Sequence, residues 1–189
     1  MRAAENEALV RAIFDAFARK EGFALRGSFA PDAVWTVPGT STMAGVYRGR
    51  EEIFRVYARA KARVAARLGV PAARVAFLAH SSEGLNQAVH AVDWRPGDNA
   101  VFADLEYPSL VYPVVGLRDR GVEPRVVRAI GHYLSMDALA AAVDARTRLI
   151  LVSQVSYLTG QRLDLARCAE LARSRGAWLA VDATHAFGV

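Results

Sequence analysis

The chain has one cysteine, Cys168, and only two lysines, Lys20 and Lys61, among 189 residues. A single thiol excludes an internal disulfide and a cysteine-based zinc site, and it suits a reducing compartment. The shortage of lysine leaves arginine as the main base. Lys and Arg together number 24 against 19 Asp and Glu, a formal net charge of +5. These bases are interspersed with acids rather than gathered in a run, which argues for a general preference for anions over a nucleic-acid face. No stretch approaches the roughly 18 apolar residues of a membrane span. The opening MRAAENEALVRAIF carries acids and no apolar run, so it does not read as a signal peptide. A cytoplasmic location is expected, with neither membrane nor nucleic acid as partner.

What is present suffices for a packed core, since 53% of the residues are hydrophobic. Two unequal pieces follow from the periodicity. In residues 1–60, Leu9, Val10, Ile13, Phe14 and Phe17 recur at helical spacing with Gly22 as a stop. The segment SFAPDAVWTVPGTSTMAGVYRG then alternates around Pro38 and Gly39, which suits two short strands about a loop, and residues 50–60 return to helical spacing. From residues 61–64 onward, strand and helix alternate. Strands are expected at 74–79, 99–105, 122–128, 147–153 and 177–182, and helices at 83–92, 109–120, 136–143 and 164–175. Apolar strands separated by helices indicate an α/β fold with a mostly parallel sheet covered on both faces.

In such sheets ligands gather beyond the carboxyl ends of the strands. Four loops there carry chemistry. In HSSEGLNQ, residues 80–87, Ser81 and Ser82 at a helix start make either a phosphate cradle or an ordinary cap. In DLEYPSL, 104–110, Tyr107 either stacks on a flat heterocycle or packs in the core. SQVSYLTG, 153–160, crowds Gln154, Ser156 and Thr159 behind an apolar strand, as ligand-contacting loops do. The fourth, AWLAVDATHAFG, delivers Asp182 at a strand end and His185 three residues on. A carboxylate so placed can pair with a protonated pyridine nitrogen, and the histidine can donate to a phenolic oxygen. Metal binding through Asp182 and His185 is the other option, and it wants a third ligand.

SSEGLN, EYPS, VSYLTG and VDATHAFG, in that order over residues 61–189, resemble the class V aminotransferases. That group of pyridoxal-phosphate enzymes includes cysteine desulfurases, kynureninases and small-molecule aminotransferases. The resemblance implies the first part of the large, cofactor-binding domain of a type I enzyme, with pyridoxal phosphate as cofactor and an amino acid as substrate. It implies that Ser81 and Ser82 hold the phosphate, Tyr107 stacks on the ring, Ser156 lies near the ring substituents, Asp182 pairs with the pyridine nitrogen and His185 flanks the phenolic oxygen. Tyr107 stands where the group often has histidine, which speaks against a cysteine desulfurase. FAPDAVWTVPG at 29–39 and AGVYRGREEI at 44–53 resemble instead the opening of the SnoaL-like fold, the cone of polyketide cyclases. This implies a partial α+β segment over residues 1–60, because the long antiparallel sheet that closes such a cone does not follow. Asp32 is either a pocket carboxylate of that fold or a turn former after Pro31.

The lysine that joins the cofactor covalently in class V enzymes follows the aspartate strand by a couple of dozen residues, and neither Lys20 nor Lys61 fits that position. The expectation is a truncated chain or one half of a split enzyme, working as a homodimer or with a complementary chain that brings the lysine. The alternatives are a non-catalytic fusion that at most binds cofactor, and a SnoaL-like binding or isomerase domain.

Overall fold

A computed structural model of the chain describes residues 29–40, 43–78 and 80–187, together with 7–8, 11–12 and 26–27. The helix implied by Leu9, Val10, Ile13, Phe14 and Phe17 lies outside the described residues. Two compact units divide the chain, Met1–Phe77 and Leu78–Val189.

In the first unit, strands β1 (Val34–Val37) and β2 (Gly45–Arg48) pair antiparallel, as the alternation around Pro38 and Gly39 implies. Helix α1 (Arg50–Leu68) follows. It runs eight residues further than its apolar spacing suggested, because the alanine- and arginine-rich stretch after residue 60 favours helix without presenting an apolar stripe. Gly69 stops it. Its φ of 65° puts it in the left-handed region, and the amides of Gly69 and Val70 return to the carbonyls of Ala66 and Ala65. A short 3-10 turn, Ala72–Arg74, comes next. The strand expected at 74–79 does not form over its described residues: 75–78 pair with no strand. Apolar residues alone do not make a strand, which needs a partner for its amides and carbonyls.

The second unit is the α/β sheet. Helix α2 (Ser81–His90) leads to β3 (Asn99–Ala103), α3 (Pro108–Val115), β4 (Glu123–Val127), α4 (Met136–Ala142), β5 (Thr147–Ser153), α5 (Leu165–Ser174) and β6 (Trp178–Asp182). The four strands are all parallel, in the order β4-β3-β5-β6. Side chains alternate between its faces. Ala100, Phe102, Leu149 and Leu151 meet Leu85 and Val89 of α2 and Leu110 and Val114 of α3 on one face. Val101, Ala103, Ile150 and Val152 meet Leu139 of α4 and Cys168 and Ala172 of α5 on the other. The helix expected at 109–120 is shorter: α3 stops at Val115, before Gly116, and a 3-10 turn at Arg118–Arg120 completes the span. A left-handed Gly121 then turns the chain so tightly that a Cβ there would lie 3.1 Å from Pro96.

Where the strands begin, polar groups are closely matched. The buried Asn99 accepts a hydrogen bond from the Thr147 hydroxyl (2.7 Å) and donates to Asp144 (2.9 Å). Arg125 pairs with Asp144 and Glu123, both at 2.9 Å, and Arg146 lies 3.6 Å from each. The Asn99 amide, followed by the Arg125 guanidinium, holds the Asp144 carboxyl far below the usual carboxylate range. The unfolded chain therefore takes up a proton that the folded chain refuses. The resulting stability is full above the usual range and drains away as the pH falls below about 4. In urea unfolding between pH 3 and 6, the wild type should lose stability as acid is added, with a shallower decline for Asp144→Asn. At the centre of the sheet, Leu151→Ala should cost about 2–5 kcal/mol in the same assay at pH 7, since the leucine is fully buried between helices and sheet.

Candidate functional site at the carboxyl edge of the sheet

Because β3, β5 and β6 are parallel, their carboxyl ends fall on one edge. Asp182 ends β6 directly opposite Ser153, which ends β5. Pairing continues one residue further, with the Gln154 amide donating to the Asp182 carbonyl at 2.8 Å. Asp182 is half-buried, and its Oδ1 accepts from the Thr184 amide at 2.8 Å, which starts the turn carrying the exposed His185.

The loop after β5 is closed rather than open. Val155 and Arg162 form an antiparallel bridge, and the Leu163 amide donates to the Gln154 carbonyl at 3.0 Å. Gln161 pins it from the side, accepting from the Leu134 amide and donating to the Leu134 carbonyl, each at 2.8 Å. At its tip the Ser156 hydroxyl accepts from the amides of Leu158 and Thr159, both 3.3 Å away. Ser156 thus shapes its own turn. That turn presents Tyr157, which meets Tyr107 edge-to-face with ring centroids 5.1 Å apart and planes at 90°. Both rings are roughly half exposed, so Tyr107 is not the core residue it would be under its plainer reading.

Ser81 and Ser82 are exposed at the first two positions of α2. The residue before them, His80, makes no side-chain cap. The far end of α2 is fixed where the strands begin: the Trp94 indole donates to the Val89 carbonyl (2.8 Å), Asp98 accepts from the Arg95 amide (2.8 Å), and β3 starts at Asn99. A ten-residue helix is about 15 Å long, so α2 carries the two serines back to the level of the strands' carboxyl ends. Of the residues singled out in the sequence, Tyr107 follows β3, Gln154, Ser156 and Thr159 follow β5, Asp182 ends β6 with His185 after it, Ser81 and Ser82 begin α2, and Asp32 lies in a turn of the first unit.

One residue there was not singled out. Glu106, between Leu105 and Tyr107, is half-buried and held by both oxygens: the Ser153 amide donates to Oε1 at 3.0 Å, and the Ser153 hydroxyl lies 2.5 Å from Oε2. Burial pushes its carboxyl up, the two Ser153 contacts pull it partly back, and the negative charge of Asp182 adds to the rise. Among the described residues neither Glu106 nor Asp182 has an ion-pair partner. The only sequence sign was an acid directly before the aromatic residue at a strand end. Tyr157 had no separate sign beyond its place in the same polar loop.

Such a donor set fits a group that is cationic at one end and anionic at the other: acids without cations at β3 and β6, and a helix start with free hydroxyls at α2. Comparison with known proteins bears on the family and the fold. The family model "Aminotransferase class-V" matches residues 39–189. A Schizosaccharomyces pombe protein is 33% identical over 116 residues, 61% of this chain and 27% of that protein. A cysteine desulfurase of Salmonella gallinarum is 32% identical over 120 residues, 61% of this chain and 30% of that one. Among solved structures, a cysteine desulfurase from Escherichia coli superposes with a TM-score of 0.63 at 22% identity, covering 94% of this chain and 41% of that one. This likeness is one of fold. The chain spans under half the length of each of these proteins. The family match begins at residue 39, inside the stretch that resembles the SnoaL-like opening. With most of its length under that match, the chain belongs to the class V aminotransferase family.

Proposed function

We propose that the carboxyl edge of the sheet forms one side of a pyridoxal-phosphate site, and that the chain works as part of an enzyme acting on an amino acid. One observation carries the reading: Asp182 stands beside a second half-buried acid, Glu106, and among the described residues neither has a cationic partner. Two such acids suit a protonated ring nitrogen and suit an anion poorly. When bound, the cofactor supplies a protonated ring that withdraws electrons from a carbanion developing at the substrate's α-carbon.

In this reading each of the chain's own residues has a separate task. Asp182 keeps the proton on the ring nitrogen. Tyr107, propped by Tyr157, covers a ring face. Ser81 and Ser82, with the amides of the first turn of α2, receive the phosphate. Ser156 and His185 flank the ring substituents. An amino-acid substrate is supported by the family, and transaminase, lyase and epimerase outcomes all begin at the same α-carbon. Lys61 lies in α1, in the other unit, and Lys20 lies outside the described residues. In this proposal a homodimer or a complementary chain completes the site. Residues 1–60 enter this proposal as a partial SnoaL-like segment joined to the cofactor-binding part, with α1 running across that boundary and the family match reaching back to residue 39.

Equilibrium dialysis of the purified chain with pyridoxal phosphate tests the reading. Asp182→Ala should weaken binding by about tenfold or more, since an uncompensated pyridinium loses its partner. The double variant Ser81→Ala/Ser82→Ala should weaken binding of pyridoxal phosphate while leaving that of pyridoxal, which lacks the phosphate, nearly unchanged. An Asp182 variant that binds as tightly as the wild type would sink the proposal.

A further inference from the structure

Glu106 is the half-buried acid of the edge whose charge the reading above uses but whose place in the architecture it leaves unexplained. Its carboxylate joins two pieces of the site that are distant in sequence. Tyr107 is the next residue in the chain, and Ser153, which holds both carboxylate oxygens, is the strand neighbour of Asp182. A single side chain thus sets the ring-covering loop against the strand pair that ends in the nitrogen-pairing acid.

Its surroundings give the charge a meaning as well. The small pocket around it is lined by Ala103, Leu105, Leu134 and Leu163, with Ser156 and Gln161 as polar neighbours besides Ser153. None of these is titratable. Among the described residues the charge that acts on Glu106 is that of Asp182, and it is repulsive. A half-buried carboxylate beside leucines and facing another acid is unfavourable on its own account. A glutamine would accept the Ser153 amide equally well and avoid that penalty. The acid is the costlier choice, and its natural complement is a cation.

We propose that Glu106 is a positioning residue of the cofactor site: clamped by Ser153, it sets Tyr107 against the β5–β6 pair and adds a second negative charge beside Asp182, so that together they favour a cationic ring nitrogen. This rests on the reading of the edge as a pyridoxal-phosphate site. The clamp and the charge can be separated. Glu106→Gln keeps shape and acceptor and loses charge, Glu106→Asp keeps charge and shortens the reach, and Ser153→Ala keeps charge and loosens the clamp.

The probes are pyridoxal 5′-phosphate and its 1-deaza analogue, in which carbon replaces the ring nitrogen, measured by equilibrium dialysis at pH 7. The wild type should prefer pyridoxal phosphate by about tenfold, the worth of one charge pairing of roughly one pKa unit. Glu106→Gln should bind the deaza analogue within about twofold of wild type and lose roughly threefold or more of the preference, the scale of one charge at a partly screened distance. Ser153→Ala should bind both probes more weakly and retain the preference, and Glu106→Asp should also retain it. Urea unfolding at pH 7 should show Glu106→Gln no less stable than wild type, because an uncompensated charge has been removed.

Several results would overturn the inference. One is a Glu106→Gln variant that keeps the full preference. Another is equal weakening for both probes together with a lower urea midpoint, which would mark a merely structural role. If Glu106→Gln does not fold, loss of the preference in Glu106→Asp serves the same end. A wild type with no preference between the probes would instead overturn the underlying assignment of Asp182, and this inference with it.

Discussion

Parallel pairing of β5 with β6, with Ser153 opposite Asp182, is the constraint from which the rest of the edge follows. Parallel strands end on the same side of a sheet, and their crossover helices return the chain outside it. Once Ser153 and Asp182 are neighbours, the loop after β5 must turn back on itself, and Gln161 holds it there. The loop after β3 is drawn in by the grip of Ser153 on Glu106. Tyr107 and Tyr157 meet because these two loops are drawn to the same strand end. None of these contacts is local in sequence: Glu106 and Ser153 are 47 residues apart.

The two ends of the sheet are built on opposite electrostatic plans. Where the strands begin, each acid named has a base or an amide: Asp144 has Asn99 and Arg125, and Glu123 has Arg125. This matched network lowers the acids and stabilises the fold. Where the strands end, Glu106 and Asp182 repel each other, neither has an ion-pair partner among the described residues, and burial raises Glu106. Acids left uncompensated in a half-buried place mark sites kept for something other than stability. Both plans use the same residue types, and the difference lies in what the topology sets beside them.

Much of the second unit was legible in the residues. Strand 147–153 and the helices near 136 and 164 were expected from apolar runs, and in the structure the Ser135 and Asp164 side chains cap those helices by accepting from first-turn amides. The strand expected at 74–79 failed because a run of apolar residues says nothing about whether a partner strand is present. Helix α1 was underestimated because alanine and arginine carry helix propensity without periodicity. Gly116 and Pro113 curtailed α3 in a way that apolar spacing did not register. Of the edge residues, Asp182 and Tyr107 were legible from their position at strand ends. Glu106 was not, since its meaning depends on Ser153 and Asp182, which only the sheet brings near it.

By itself the sequence determined the alternation of strand and helix, the parallel class of the sheet and the set of polar loops behind the apolar strands. These are properties of local periodicity and of hydrophobic burial, and short windows of residues encode them. The tertiary structure decided the register that sets Ser153 against Asp182, the hold of Ser153 on Glu106, the meeting of Tyr107 with Tyr157 and the lack, among the described residues, of an ion-pair partner for either acid. Those depend on distances between residues far apart in the chain, which no window of sequence contains.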